Sequence, residues 1–478
     1  MSMNPDTPGT DGLPQSYAIV GGGPAGLLVA RAMLKRGVPF EIFERHHELG
    51  GIWNIEQAGS PMSRSCNFIS SRDYGGFIDY PMPATYPMYP KWHQIREYVR
   101  SFARSYGLDE RARTGVAVER AQPIDTDAGR FWRLSLSDGS TRDFRGVVIA
   151  TGAQWYPVIP EYPGLDAFTG RVLHSAEYGS TDEFVDQRVL VVGAGNSGVD
   201  IVADAAFFAA AARLSTRRGY YFFPKFTHGI PTPDLLAGNI PEAELPEALQ
   251  GKSFEEKLRT VIDGVGDLTH YGLPSPDHGF GQTHPIMNSQ VLHALAHGLL
   301  EHRPDIAELA GRTVTFADGT SEDFDVIVFA TGYDVFVPWL DAGVLRYENG
   351  HPEAVLGSFF EDQPGLYQAG ALHFAGNTFS IFDQEAQFIA AEADAVLHGT
   401  NAENVRRVRE AFRPDLRAGA EFLSTRRNGN QVHIPALEAA WDALETEFGI
   451  PIPRMGEAGF YAGLRVDQGA GAETERAA

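Results

Sequence analysis

The sequence predicts an α/β protein with two doubly wound units, the second inserted into the first, and a helical C-terminal region. Three observations predict this. A short apolar run breaks into glycines spaced GxGxxG and passes into an apolar helix over residues 17–36. The same pattern returns over residues 188–211. Ala-Thr-Gly endings then close two further apolar runs, at Ala150, Thr151 and Gly152 and at Ala330, Thr331 and Gly332. Repetition at this scale signals two copies of one supersecondary design.

In the first copy, residues 17–20 read as a buried parallel strand and 25–36 as the helix. Gly21 permits the tight turn, Gly23 lets a pyrophosphate approach the backbone, and Gly26 lets the helix pack on the strand. Pro24 and Ala25 open the helix, where free N–H groups and the helix dipole favour phosphate. A second strand, 39–43, ends in Glu44, 23 positions past Gly21, followed by Arg45. A carboxylate there accepts hydrogen bonds from ribose hydroxyls.

Residues 49–90 are rich in Gly, Pro, Ser and Tyr and show no period. Gly50, Gly51, Ile52 and Trp53 suit close backbone approach to a flat ligand, on which Trp53 could pack; a structural turn with a core tryptophan is the other reading. Residues 92–106 read as an amphipathic helix through Ile95, Tyr98, Val99 and Phe102. Residues 131–136 and 141–144 read as a hairpin around Asp138 and Gly139. Residues 146–152 form another buried strand with a small-residue turn against a cofactor.

In the second copy, residues 188–192 are the strand, and Gly193, Gly195, Asn196, Ser197 and Gly198 form the loop. Residues 199–211 are the helix and 212–215 the next strand. Thr216 stands 23 positions past Gly193, where the first copy has its acid, and Arg217 and Arg218 follow. Arginines suit a ribose 2′-phosphate through charge-assisted hydrogen bonds. The first copy therefore reads as an FAD site and the second as an NADPH site, both Rossmann-like. Residues 241–263 read as an acidic helical stretch. His293 and His297 are four apart and could meet on one helix face, but no HExxH pattern accompanies them and no metal site is assigned. Residues 314–316 and 325–329 read as a strand pair around Asp318 and Gly319, with the first unit resuming at the second strand. Residues 365–370 read as a last strand returning to the flavin, and 401–447 as largely helical. Loops at 54–90, 219–285 and 376–386 carry no readable code.

The 478-residue chain carries 62 acidic and 39 basic residues, a formal charge of -23, which excludes a nucleic-acid binder because phosphate backbones demand basic surfaces. One cysteine, Cys66, excludes disulfides, CxxC redox chemistry and cysteine metal sites. Residues 1–15 lack the basic and apolar regions of a signal peptide, and no apolar run reaches the roughly 18 residues of a membrane helix. A soluble cytoplasmic protein is expected.

Two longer motifs add a family resemblance. Phe168, Gly170, His174 and Tyr178 fit FxGxxxHxxx(Y/F), just ahead of the second glycine loop. Asp325, Phe329, Ala330, Thr331, Gly332, Tyr333 and Pro338 fit Dx3(L/F)ATGYx4(H/C/P). Over residues 15–390 the chain resembles flavin-containing monooxygenases of the two-dinucleotide type. Tyr178-Gly179 departs from the related Baeyer–Villiger enzymes, which carry Trp followed by Pro or Asp. The resemblance makes His174 a domain-linking residue. The family's active-site Asn precedes an (F/Y)xDxP segment, matched here by Phe77, Asp79 and Pro81. Counting back without gaps reaches Ile69. Either Asn67 serves with a small shift, or Ser70 and Ser71 line the flavin. Val116 and Gln387 complete the cofactor-binding assignment.

The resemblance implies the following organisation: a disordered N-terminus (1–14), the first part of an FAD domain (15–178), an NADPH domain (179–320), the second part of the FAD domain with C-terminal helices (321–464), and a disordered tail (465–478). It implies hydride transfer from NADPH to FAD, capture of O2 as a C4a-hydroperoxyflavin, and oxygen transfer to a soft nucleophile, an amine nitrogen or sulfide of a small molecule. A homodimer is compatible with it. Three alternatives remain: Baeyer–Villiger oxidation of a ketone, a nucleotide-sensing binding protein without turnover, and a disulfide reductase, which the single cysteine disfavours.

Overall fold

The computed structural model describes residues 9–467. The termini expected to be disordered lie mostly outside this range. Within it, Asp11 pairs with Arg145 at 2.7 Å and the Val466 N–H donates to the Ser105 carbonyl at 2.8 Å, so both ends of the described chain are tied to the first unit.

Two five-stranded parallel sheets organise the molecule. In the first, the order is Leu366–Gln368, Gly146–Ile149, Tyr17–Val20 (β1), Phe40–Glu44 (β2), Ala112–Thr114. In the second it is Arg171–His174, Val326–Phe329, Arg188–Val192, Ala211–Ser215, Glu301–Arg303. The two orders correspond strand for strand. Tyr17–Val20 and Gly146–Ile149 are buried throughout, as parallel strands covered on both faces require.

Helix α1, Pro24–Lys35, starts at a proline whose missing N–H costs nothing in the first turn. It packs on β1 and along the long helix Thr378–His398. Helix α2, Trp92–Ser105, buries Ile95, Tyr98, Val99 and Phe102, the stripe its period predicts. Helix α3, Asn196–Phe208, is the counterpart of α1.

Each unit also carries a three-stranded antiparallel layer, and here expectation and structure differ. The hairpin of Gly129–Leu136 and Thr141–Phe144 has a third strand, Val118–Thr126, whose internal Pro123 hides it from a strand reading. Thr313–Phe316 pairs with Ser321–Asp323 and Ile306–Ala310, not with the strand after Asp325. That strand, Val326–Phe329, joins the second sheet, as does Arg171–His174. The second sheet thus takes strands from outside the 179–320 interval expected of it, because the counterpart of Gly146–Ile149 closes the repeat after the antiparallel layer. The acidic stretch forms isolated turns at Glu242–Glu244 and Glu247–Leu249, with helix only over Phe254–Val265. The loop expected at 376–386 is largely the start of the long helix, capped by Asn377.

The chain crosses between the units twice, and the crossings pair: Tyr156–Pro157 runs antiparallel to Tyr333–Asp334. Beneath α1, Arg31 is fully buried. It bonds Asp383 of the long helix at 2.7 Å and the Ile78 carbonyl at 2.9 Å, with the Tyr461 ring 3.6 Å from its guanidinium carbon. A buried cation without its carboxylate is strongly destabilising. Asp383→Ala should therefore lower unfolding stability by about 3–5 kcal/mol, read by denaturant titration.

Candidate functional site

The glycine loops are built on the same contacts. A Cβ at Gly26 would lie 2.0 Å from the Gly21 carbonyl oxygen, and one at Gly198 would lie 2.0 Å from that of Gly193. Gly21 and Gly193 have φ of +121° and +104°, and a Cβ on either would strike the Ala150 or Ala330 carbonyl oxygen. Each helix can start this close to its strand only without side chains, which leaves its first N–H groups facing outward. Ala330, Thr331 and Gly332 thus serve the second loop as Ala150, Thr151 and Gly152 serve the first, which corrects the expectation that they return to the first unit.

Around the first loop, Gly23 faces Gly51: a Cβ on Gly51 would lie 3.0 Å from the Gly23 Cα. Gly51 has φ +57° and opens the turn Gly51–Trp53. Opposite Ala25 lies Gly370, where a Cβ would come within 2.8 Å of the alanine methyl. A backbone-lined slot results, fit for a pyrophosphate and the flat ring beyond it. Glu44 stands at the strand end. Its carboxylate accepts from the Gly22 and His46 N–H groups at 2.8 and 2.9 Å, and burial pushes its pKa up against those bonds. Arg45 lies over the Trp155 ring at 4.2 Å, and the Val116 N–H donates to the Glu44 carbonyl at 3.0 Å.

Trp53 resolves towards the core. Its ring is buried and meets Phe68 edge-on at 5.6 Å, and Phe68 stacks on Phe379. Ile52 packs partly buried on the same core. Gln387 is fully buried on the long helix and donates to Tyr461 at 2.7 Å, which places its amide in the Arg31 cluster.

The segment carrying Asn67 docks on the second unit. Ser65 donates to Asp204 of α3 at 2.5 Å, Tyr178 donates to the same carboxylate at 2.8 Å, and the Arg64 N–H donates to the Gly179 carbonyl at 3.0 Å. Asn67 pairs in a bridge with Lys91 and donates to the Ser65 carbonyl at 3.3 Å. The Ser71 hydroxyl accepts from the Tyr74 N–H, whereas the Ser70 hydroxyl is buried without a partner among the described residues. Burial holds the Cys66 thiol up at about 12, so it is no thiolate at neutral pH.

His174 ends its strand at the crossing. Its Nδ1 accepts from the Ala176 N–H at 3.1 Å and its Nε2 donates to the Gly332 carbonyl at 3.0 Å, while burial lowers its pKa. A neutral imidazole with both nitrogens engaged is no proton carrier, and its partners Ala176 and Gly332 both belong to the second unit beside the crossing.

At the second loop a cleft is lined by Ala194, Thr216, Arg218, Tyr220 and Phe222. The Thr216 hydroxyl meets His302 Nε2 at 2.8 Å, the Arg218 guanidinium has, among the described residues, only the distant Asp277 carboxylate at 3.8 Å, and Arg217 is exposed. His293 and His297 do meet, with ring centres 4.1 Å apart.

Residues the sequence reading missed are Asn54, with a buried unpartnered side-chain oxygen after the Gly51 turn, and Glu385. Glu385 is fully buried and accepts from the Gly370 N–H at 2.8 Å, fixing the turn opposite Ala25. Only a loop was expected there, so no pattern flagged it.

The model of the "Flavin-binding monooxygenase-like" family matches residues 15–401. The chain belongs to this family. Flavin-containing monooxygenase 5 of Rattus norvegicus is 30% identical over 347 residues, 70% of this chain and 64% of that protein. The match thus spans under two thirds of that relative's length. In fold, the S-allyl-L-cysteine S-oxygenase of Allium sativum superposes with a TM-score of 0.62 at 21% identity, covering 92% of this chain and 89% of that one. An open cyclohexanone monooxygenase superposes with a TM-score of 0.63 at 16% identity, covering 91% and 98%. As a member of the flavin-binding monooxygenase-like family, the chain takes FAD and NADPH as cofactors. Among the described residues no helix is long and apolar enough to cross a membrane.

Two outcomes follow. Gly198→Val should abolish NADP+ binding, measured calorimetrically, while flavin content stays near one per chain, because the clash is confined to the second loop. Burial raises the Glu385 carboxyl from 4.5 to about 8. The folded state therefore binds the proton more tightly, and the stability this contributes is present below 4.5 and lost as pH rises towards 8. Glu385→Gln should flatten that decline in denaturation midpoint between pH 5 and 8 by roughly 1 kcal/mol or more.

Proposed function

We propose that the protein is an NADPH- and O2-dependent flavin monooxygenase that oxygenates a soft nucleophile, an amine nitrogen or a sulfide, of a small molecule. The observation that carries this is the pairing of two loops of one design with opposite chemistry at the second strand: buried Glu44 in one, Thr216-Arg217-Arg218 in the other. Glu44 suits the ribose diol of FAD, and the arginines suit the 2′-phosphate of NADPH.

Bound flavin, reduced by NADPH, supplies the oxygen activation. The chain's own residues bind, orient and keep out water. Gly23, Ala25 and Gly26 present N–H groups to the FAD pyrophosphate, Gly21 and Pro24 shape the turn that aims them, and the Gly51 turn covers it. Glu385 holds the Gly370 turn against the helix start. Gly195, Asn196, Ser197 and Gly198 do the same for NADPH, with Gly193 shaping the turn. The 63–67 segment, bonded to α3 through Asp204, brings Asn67 to the junction of the two units. Asn67 positions the substrate there, and Ser70, with its free hydroxyl, faces the flavin side. Trp53 contributes through its backbone and its support of Phe68. Water exclusion at this junction protects the reactive site from unproductive loss of its oxygen. The fold relatives, an S-allyl-L-cysteine S-oxygenase and a cyclohexanone monooxygenase, span both soft-nucleophile and ketone chemistry. The Tyr178 ending favours the former.

The test is oxygen consumption by the flavin-loaded protein with NADPH, and product analysis with a tertiary amine, a thioether and a cyclic ketone. N-oxide or sulfoxide is the expected product. Lactone from the ketone alone, or no oxygen uptake, would overturn the reading. Replacing Arg217 and Arg218 together by Ala should cut the preference for NADPH over NADH by roughly 10- to 100-fold in kcat/KM.

A further inference from the structure

The two glycine loops differ at their middle residue. Gly23 of the first faces the backbone of Gly51. Gly195 of the second faces a side chain: the Arg427 guanidinium stands 3.8 Å from where a Cβ on Gly195 would be. Arg427 comes from far along the chain. The segment that carries it is bonded to the first unit, since the His373 N–H donates to the Asn430 carbonyl at 3.2 Å and the Val432 N–H to the His373 carbonyl at 2.9 Å. It is also bonded to the second unit, through the Leu423 N–H and the Gln282 carbonyl at 2.8 Å and through Thr283 and Asn428 at 3.3 Å.

Arg427 is partly buried, and that burial lowers its pKa. Its neighbour Arg426 is neutralised by Asp334. Among the described residues, no carboxylate pairs with Arg427 and no acceptor takes a hydrogen bond from its side chain, in a chain with 62 acidic residues. The nearby His284 and His373 stack at 5.8 Å and stay neutral at pH 7, with pKa values of about 3 and about 4. A partly desolvated cation without a counter-charge among the described residues at the start of α3, where free N–H groups also converge, is half of an anion site.

We propose that Arg427 binds the pyrophosphate of the nicotinamide dinucleotide at the second glycine loop, closing that site from the C-terminal segment. This rests on the reading of the second loop as the NADPH site. A pyrophosphate in front of Gly195 receives the α3 N–H groups on one side and the Arg427 fork on the other. The first loop is covered by Gly51 and, among the described residues, has no such cation beside Gly23.

The test is calorimetric titration of flavin-loaded wild type, Arg427→Met and Arg427→Lys with NADP+, NAD+ and 2′-AMP, flavin content reporting the fold. Arg427→Met should weaken NADP+ and NAD+ alike by about 10- to 100-fold and leave 2′-AMP, which has no pyrophosphate, unchanged. Arg427→Lys should recover part of the loss. Unchanged dinucleotide binding in both variants, or equal loss of 2′-AMP, would overturn the proposal while the second-loop reading stands. A wild type that binds neither dinucleotide would overturn that reading and the proposal with it.

Discussion

The structure depends on one close approach, made twice: a helix backbone against the carbonyl of the glycine that ends the preceding strand. At 2.0 Å from a would-be Cβ, the contact excludes every residue except glycine at positions 26 and 198. It fixes where each helix begins, and therefore where its unbonded N–H groups point. The two loops therefore share one geometry at the start of their helices.

What separates the sites is charge placed around a shared frame. In the first unit the second strand ends in a buried carboxylate pinned by two backbone N–H groups. In the second the matched strand is followed by a hydroxyl bonded to His302 and by two arginines with no carboxylate closer than 3.8 Å among the described residues. The difference continues at the middle glycine of each loop, which faces Gly51 in one and Arg427 in the other.

Much of this was legible in the sequence because glycine spacing and strand runs are local. The two loops, Glu44, the arginines and the His174 and Tyr178 positions are where the pattern puts them. The misreadings share a cause. Val326–Phe329 was read with its neighbour in sequence, but its partners are Arg188–Val192 and Arg171–His174, more than a hundred residues upstream. Trp53 was weighed as a ring against the cofactor, yet Phe68 and Phe379, invisible as its neighbours in sequence, draw it inward. Glu385 and Arg427 carry no motif. Their meaning comes from Gly370 and Gly195, which only the folded chain brings beside them.

The paired crossings have an architectural consequence. The chain leaves the first unit at Tyr156–Pro157 and returns at Tyr333–Asp334, hydrogen-bonded to its point of departure. A guest with adjoining ends imposes no stretch on its host, so a complete second unit can be accommodated without opening the parent sheet.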